Sequence, residues 1–192
     1  MNDIKIVLAS ASPRRRELLA NIGIKDFTVC PAEGEEKAPA GLSPDELVMA
    51  LSRAKAEEVA AKHPDALIIA ADTIVYSDGR VLGKPHGASE ASSMLRALSG
   101  RTHRVYTGVT LLSGETLLSE AECTLVRFRS LDDAEINAYI ATGEPMDKAG
   151  AYGIQGMASL MVEGIEGDYF NVMGLPLCRL GIMLNAIGVR LL

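Results

Sequence analysis

The chain has 192 residues, 48% hydrophobic and 23% charged, which is enough apolar material for a core and argues against disorder. A net charge of −6, with 4% aromatics and no Trp, opposes non-specific binding to nucleic acid or an anionic membrane and leaves little for base stacking. Cys30, Cys123 and Cys178 form no CxxC pair and read as reduced packing residues. With no signal-peptide pattern at the start, and an apolar stretch 173–192 broken by Pro176, Arg179 and Asn185, a soluble cytoplasmic protein is expected.

In chain order, the apolar run Ile4–Ala9 predicts a buried strand, and the leucines and isoleucine of Arg14–Ile22 predict a helix stopped at Gly23. Phe27–Cys30 reads as a second strand, and 31–42 as a loop. Ser43-Pro44-Asp45-Glu46 is a helix start with N-cap serine, Pro and reciprocal Glu, and predicts a helix to about His63. Ala66–Ala71 reads as a strand buried on both faces. Thr73–Tyr76 and Arg80–Leu82 flank a hairpin-like turn at Ser77-Asp78-Gly79.

Further on, 89–98 predicts a helix closed by Gly100, and 103–112 and 115–129 predict strands joined at Ser113-Gly114. The Ser130–Asp133 start predicts a helix ending at Gly143. Segments 159–163 and 169–172, around Gly164–Gly167, suggest another hairpin, and 175–186 a final helix. Helices alternating with buried and hairpin strands imply an α/β fold with a mixed sheet.

Candidate functional residues stand where local rules are broken. Arg14-Arg15-Arg16 put three cations in the first turn of a helix, where the dipole disfavours them. With Ser10 and Ser12 they either form an anion site or a solvated basic turn. Lys55 fills the missing place in the stripe Leu47–Leu51–Val59, so it either meets an anion or snorkels outward. Asp72 ends the buried run 66–71, where α/β sheets collect ligands, although a lone Asp there also serves as a turn former. Lys84 follows Gly83 and precedes Pro85, either presented to a ligand or solvated. The small-residue run Asp147–Gly156 either lets backbone approach a ligand or forms a flexible surface loop. Cations together with carboxylates suit a phosphate ligand and a hard metal ion.

The runs Leu8–Leu19 (LASASPRRRELL), Arg53-Ala54-Lys55-Ala56, Ala71-Asp72-Thr73, Leu82–Pro85, Leu98–His103, Glu144–Gly156 (EPMDKAGAYGIQG) and Val172–Pro176 occur in this order along the chain. In these runs the sequence resembles the Maf family. The resemblance implies an elongated α/β fold akin to inosine triphosphate pyrophosphatases, one functional domain over 1–192 with two lobes around a cleft. It also implies hydrolysis of a nucleoside triphosphate between its α- and β-phosphates with Mg²⁺ or Mn²⁺, and a homodimer.

By the same resemblance, Asp72 is the catalytic proton acceptor and a metal ligand. Glu36 also holds the metal, with Glu35 as the alternative. Ser10, Ser12, Arg14, Arg15, Lys55, Thr73, Lys84, Lys148 and Gln155 bind the substrate. Arg14, Thr73 and Gln155 match the branch that takes dTTP and UTP rather than 7-methyl-GTP, and a Gln amide suits the imide edge of uracil or thymine. A nucleotide-sensing regulator of septum formation is the alternative outside enzymology.

Overall fold

The computed structural model describes residues 4–34 and 40–192. The strands are β1 (Ile6–Leu8), β2 (Phe27–Val29), β3 (Leu67–Ser77), β4 (Arg80–Leu82), β5 (Thr102–Ser113), β6 (Thr116–Phe128) and β7 (Val162–Glu166). The helices are α1 (Pro13–Asn21), α2 (Pro44–Lys62), α3 (Ala88–Leu98), α4 (Asp133–Ala141), α5 (Tyr169–Met173) and α6 (Leu177–Ala186). The strands form a seven-stranded sheet in the order β2-β1-β3-β5-β6-β7, with β4 paired to β3. β1 runs parallel to β2 and β3, whereas β3–β4 and β6–β7 are antiparallel, so the sheet is mixed as expected. No described helix is long and apolar enough to cross a membrane.

The chain divides into two compact units. The first comprises Met1–Asp72, Thr107–Glu122 and Gly174–Leu192. Its core joins Val7 and Ala9 of the β1 segment, Ala56 and Val59 of α2, and Ala66, Ile68 and Ala70 of the β3 segment. Successive strand residues face opposite ways, so 68, 70 and 72 share the face that α2 covers. α2 leads directly into β3. Moving back along α2 from Val59 to Lys55 therefore tracks forward along β3 from Ile68 to Asp72. The buried stripe of α2 is Val48, Leu51, Ser52, Ala56 and Val59, with Leu47 only half-buried. This corrects the Leu47–Leu51–Val59 stripe: Lys55 lies on its edge, because a 3.6-residue period drifts off strict fours. The capping box opens α2 as its residues predict, with the Ser43 amide donating to Glu46 Oε2 at 2.9 Å. Gly108 of β5 lets the strand pass under this helix, since a Cβ there would overlap the Val48 carbonyl.

The second unit comprises Thr73–Tyr106 and Cys123–Met173. The 77–79 turn is a hairpin, as its residues predict. Asp78 and Gly79 are both left-handed (φ 48° and 78°), the pair a type I′ turn requires. The hairpin expected around Gly164–Gly167 does not form. Val162–Glu166 pairs instead with Leu125–Phe128 of β6, and Tyr169–Met173 is a short helix. That helix is held by the buried Asn171 amide, which donates to the Val105 carbonyl and to Thr124 Oγ1, both at 3.0 Å. These long-range bonds carry no local sequence signal.

Candidate active site

In the first unit, Ser10, Arg15, Lys55 and Asp72 lie around the end of the parallel ladder. β1 and β3 are in register as far as Leu8↔Ile69, with the Ala9 amide bonding the Ile69 carbonyl at 2.9 Å. Beyond that point β1 turns into the Ser10–Ser12 loop and α1, while β3 continues. Asp72 therefore does not end a strand, as the sequence suggested. It lies in mid-strand on β3, just past the carboxyl end of the parallel pairing. The rule that ligands gather beyond carboxyl strand ends still points to it, through β1 rather than β3.

Ser10 is buried (7% exposed), and its Oγ accepts from the Ser12 amide (3.2 Å) and from Arg15 Nη1 (3.1 Å). Arg15 Nε donates to the Gly174 carbonyl at 2.7 Å. Arg15 is thus a fixed guanidinium anchored at two sites far apart in sequence. Arg16 is exposed and donates back to the Ala11 carbonyl at 3.2 Å. Arg14 is half-buried on the first turn of α1, whose first turn carries no acidic residue. Three cations at a helix N-terminus oppose its dipole, a cost that a bound anion would offset.

Asp72 is buried, and Lys55 Nζ stands 2.5 Å from its Oδ1. Lys55 and Asp72 side chains are only 19% and 10% exposed. The Lys55 ambiguity is thereby resolved: it does not snorkel but meets a carboxylate. Charges this withdrawn from water cost several kcal/mol each, roughly offset only when paired, and they weaken the stability case for keeping them.

In the second unit, Thr73 is half-buried on β3, on the strand face opposite Asp72. Lys84 is exposed in the turn after β4. That turn is tied down where the Gly83 carbonyl accepts from the Gly150 amide at 3.0 Å. Gly150 is left-handed (φ 67°), and a Cβ there would sit 2.8 Å from the Val75 side chain, so glycine is required. Lys148 is 13% exposed, its amine donating to the Glu144 carbonyl and to Asp147 Oδ1, both at 2.7 Å. Gln155 is exposed at the tip of the same loop. The run 147–156 is accordingly a braced loop.

Tyr152 of this loop packs edge-to-face with His103 and Phe128, and His103 Nε2 lies 2.8 Å from the Tyr152 hydroxyl. Burial lowers the His103 imidazole from 6.5 to about 4. Sequence reasoning overlooked Gly174, Tyr139 and His103 as individuals. Gly174 and His103 lay inside the motif runs 172–176 and 98–103, whereas Tyr139 offered no such signal.

Glu35 and Glu36 lie outside the described residues. Among the described residues no group of three His, Cys, Asp or Glu comes together as a metal cluster. Asp72 is the one site carboxylate described, a hard oxygen donor of the kind Mg²⁺ and Mn²⁺ take.

The family model of the Maf-like proteins matches residues 5–187. This chain belongs to that family. It is 54% identical over 188 residues to the dTTP/UTP pyrophosphatase of Moorella thermoacetica, covering 96% of each chain. It is 50% identical over 190 residues to the dTTP/UTP pyrophosphatase of Pelotomaculum thermopropionicum, covering 98% of this chain and 99% of the relative. Among solved structures, a HAM1 protein from Coxiella burnetii aligns over 95% of this chain and 99% of its own. The TM-score is 0.57 at 15% identity, a likeness of fold. Maf-like membership accounts for the order of the seven motifs along the chain.

Proposed function

We propose that this protein hydrolyses pyrimidine nucleoside triphosphates, dTTP and UTP foremost, to the monophosphate and pyrophosphate. The observation that carries the reading is the buried Asp72–Lys55 pair just past the end of the parallel ladder that leads into Ser10 and Arg15. The names of relatives at about half identity over nearly the whole chain support the substrate class.

Asp72 accepts the proton of the attacking water as its oxygen adds to the α-phosphorus. The bond from the α-phosphorus to the bridging oxygen breaks, and pyrophosphate leaves with that oxygen. Lys55 holds Asp72 in place and balances its charge in a poorly hydrated setting. Arg15, pre-oriented by Ser10 and the Gly174 carbonyl, and Arg14 bind phosphate oxygens, with the Ser10 and Ser12 hydroxyls beside them. Lys84 and Lys148 bind the phosphate chain, while Thr73 and Gln155 read the base. Asp72 and Glu36 would hold Mg²⁺ or Mn²⁺, which would neutralise phosphate charge and lower the pKa of a water. All residues 1–192 serve this one function, in a cytoplasmic homodimer.

The test is pyrophosphate release from dTTP, UTP, CTP, GTP and 7-methyl-GTP with Mg²⁺, wild type beside Asp72→Asn. Release from dTTP and UTP that collapses in the variant supports the reading. Turnover confined to 7-methyl-GTP overturns the specificity residues, and binding without any turnover overturns the chemistry.

A further inference from the structure

In the second unit the Glu144 carboxylate links α4, through Tyr139, to the loop that carries Gln155. Glu144 is half-buried at the start of the short 3-10 turn Glu144–Asp147 that follows α4, five residues after Tyr139. Its Oε1 accepts from the Tyr139 hydroxyl at 2.8 Å, and its Oε2 accepts from the Met157 amide at 3.0 Å. The Tyr139 oxygen in turn accepts from the Gly153 amide at 3.2 Å. The backbone carbonyl of Glu144 takes the Lys148 amine at 2.7 Å. One residue therefore holds the loop at its lysine, and together with Tyr139 clasps the loop on both sides of Gln155.

Close packing agrees with the hydrogen bonds. A Cβ on Gly156 would overlap the Glu144 carboxylate, and a Cβ on Gly153 would come 2.5 Å from Lys148 Cε. The loop backbone lies directly against these two side chains. Tyr139 is 3% exposed, and both burial and the adjoining Glu144 carboxylate raise its hydroxyl above the ordinary value, keeping it a proton donor to Glu144. The clasp is thus a charge-assisted bond beneath an exposed amide side chain, whose direction the backbone of 153–157 dictates.

We propose that Glu144 and Tyr139 are positioning residues for base selection: they fix the 153–157 backbone so that the Gln155 amide meets the base in one orientation. The inference rests on the pyrimidine reading above and adds to it the part that makes the contact selective. An amide on a loosened loop can still bond to a nucleobase, but it rotates to suit purine and pyrimidine alike. Losing the clasp should therefore lower discrimination more than turnover.

The experiment compares kcat/KM for UTP and GTP, with Mg²⁺, in wild type, Tyr139→Phe, Glu144→Gln, Gln155→Ala and the Tyr139→Phe/Gln155→Ala double variant. Tyr139→Phe removes the donor to Glu144 and the acceptor for Gly153, and Glu144→Gln presents an amide that cannot serve both partners as acceptor. Each single variant is expected to lower the UTP/GTP ratio by about tenfold, the scale of one lost charge-assisted bond. The double variant should fall no further than Gln155→Ala alone, because all act through the same amide.

An unchanged ratio in folded Tyr139→Phe overturns the proposal. So does an equal loss for both nucleotides, which is what a merely structural role produces, or full additivity in the double variant. Should wild type itself show no preference for UTP, the pyrimidine reading fails instead. The clasp is then judged by hydrogen exchange: faster exchange of the Gln155–Met157 amides in Tyr139→Phe supports it, and unchanged protection overturns it.

Discussion

Lys55 of α2 and Asp72 of β3 meet at 2.5 Å because a helix and the strand that follows it run past one another, seventeen residues apart in sequence. Their contact ends an otherwise apolar row in which Ile68 and Ala70 face Val59 and Ala56. The two charges are nearly withdrawn from water, so each depends on the other.

Removing one partner separates chemistry from stability. Asp72→Asn keeps an acceptor for Lys55 but removes its counter-charge, so it should lower the melting temperature, less than Lys55→Met does. Pyrophosphate release should fall by about 10²–10⁴-fold, the usual range for a lost general base. Lys55→Met instead leaves Asp72 buried and unpaired. It should destabilise the fold by about 2–4 kcal/mol in urea titration as well as lowering turnover. A Lys55→Met protein as stable as wild type would show that the pair is not buried in solution.

Arg15 uses two faces of its guanidinium, Nε on the Gly174 carbonyl and Nη1 on Ser10 Oγ. Arg15→Lys retains the charge but cannot make both bonds at once. KM for UTP should rise by about tenfold with a smaller change in kcat, since one positioning hydrogen bond to a charged group is lost. Steady-state kinetics on the single variant decides this.

Two glycines should respond differently to alanine. At Gly108 a Cβ would overlap the Val48 backbone, which α2 cannot yield without lifting off β5. A loss of about 3 kcal/mol or more is expected for Gly108→Ala. Gly114 has open space but is left-handed (φ 57°), so Gly114→Ala should cost only about 1 kcal/mol. Denaturant midpoints of the two variants test the contrast.

His103 predicts a pH dependence of stability. Its imidazole is held at about 4 when folded, against 6.5 when free, because burial penalises the charged ring. Between those values the unfolded chain binds the extra proton and the folded chain does not. Stability is therefore fully present above pH 6.5 and declines as pH falls towards 4, by about 3 kcal/mol in all. His103→Gln should flatten that slope between pH 6.5 and 5. Glu135, held at about 2 by hydrogen bonding to Arg129, acts only below its ordinary 4.5 and leaves the upper window clear.

Much of this was legible locally. The capping box of Ser43 and Glu46, the Asp78-Gly79 turn and the buried run 66–71 are decided by residues within a few places of one another. Three cations in one helical turn, and a lysine beside an apolar stripe, were conspicuous because each breaks a rule its immediate neighbours obey. The loop expected to contact ligand was also visible, from its small residues.

The sequence by itself determined the family, the α/β class and which side chains are chemically conspicuous, since periodicity, capping and motif order are short-range properties. Tertiary structure alone decided that Asp72 sits in mid-strand, that Lys55 turns inward to it, that Val162–Glu166 joins β6, and that Glu144 clasps Gly153–Met157. Each of those depends on backbone and side-chain partners brought together by packing, and an unpaired buried charge or amide carries no trace in sequence of where its partner will come from.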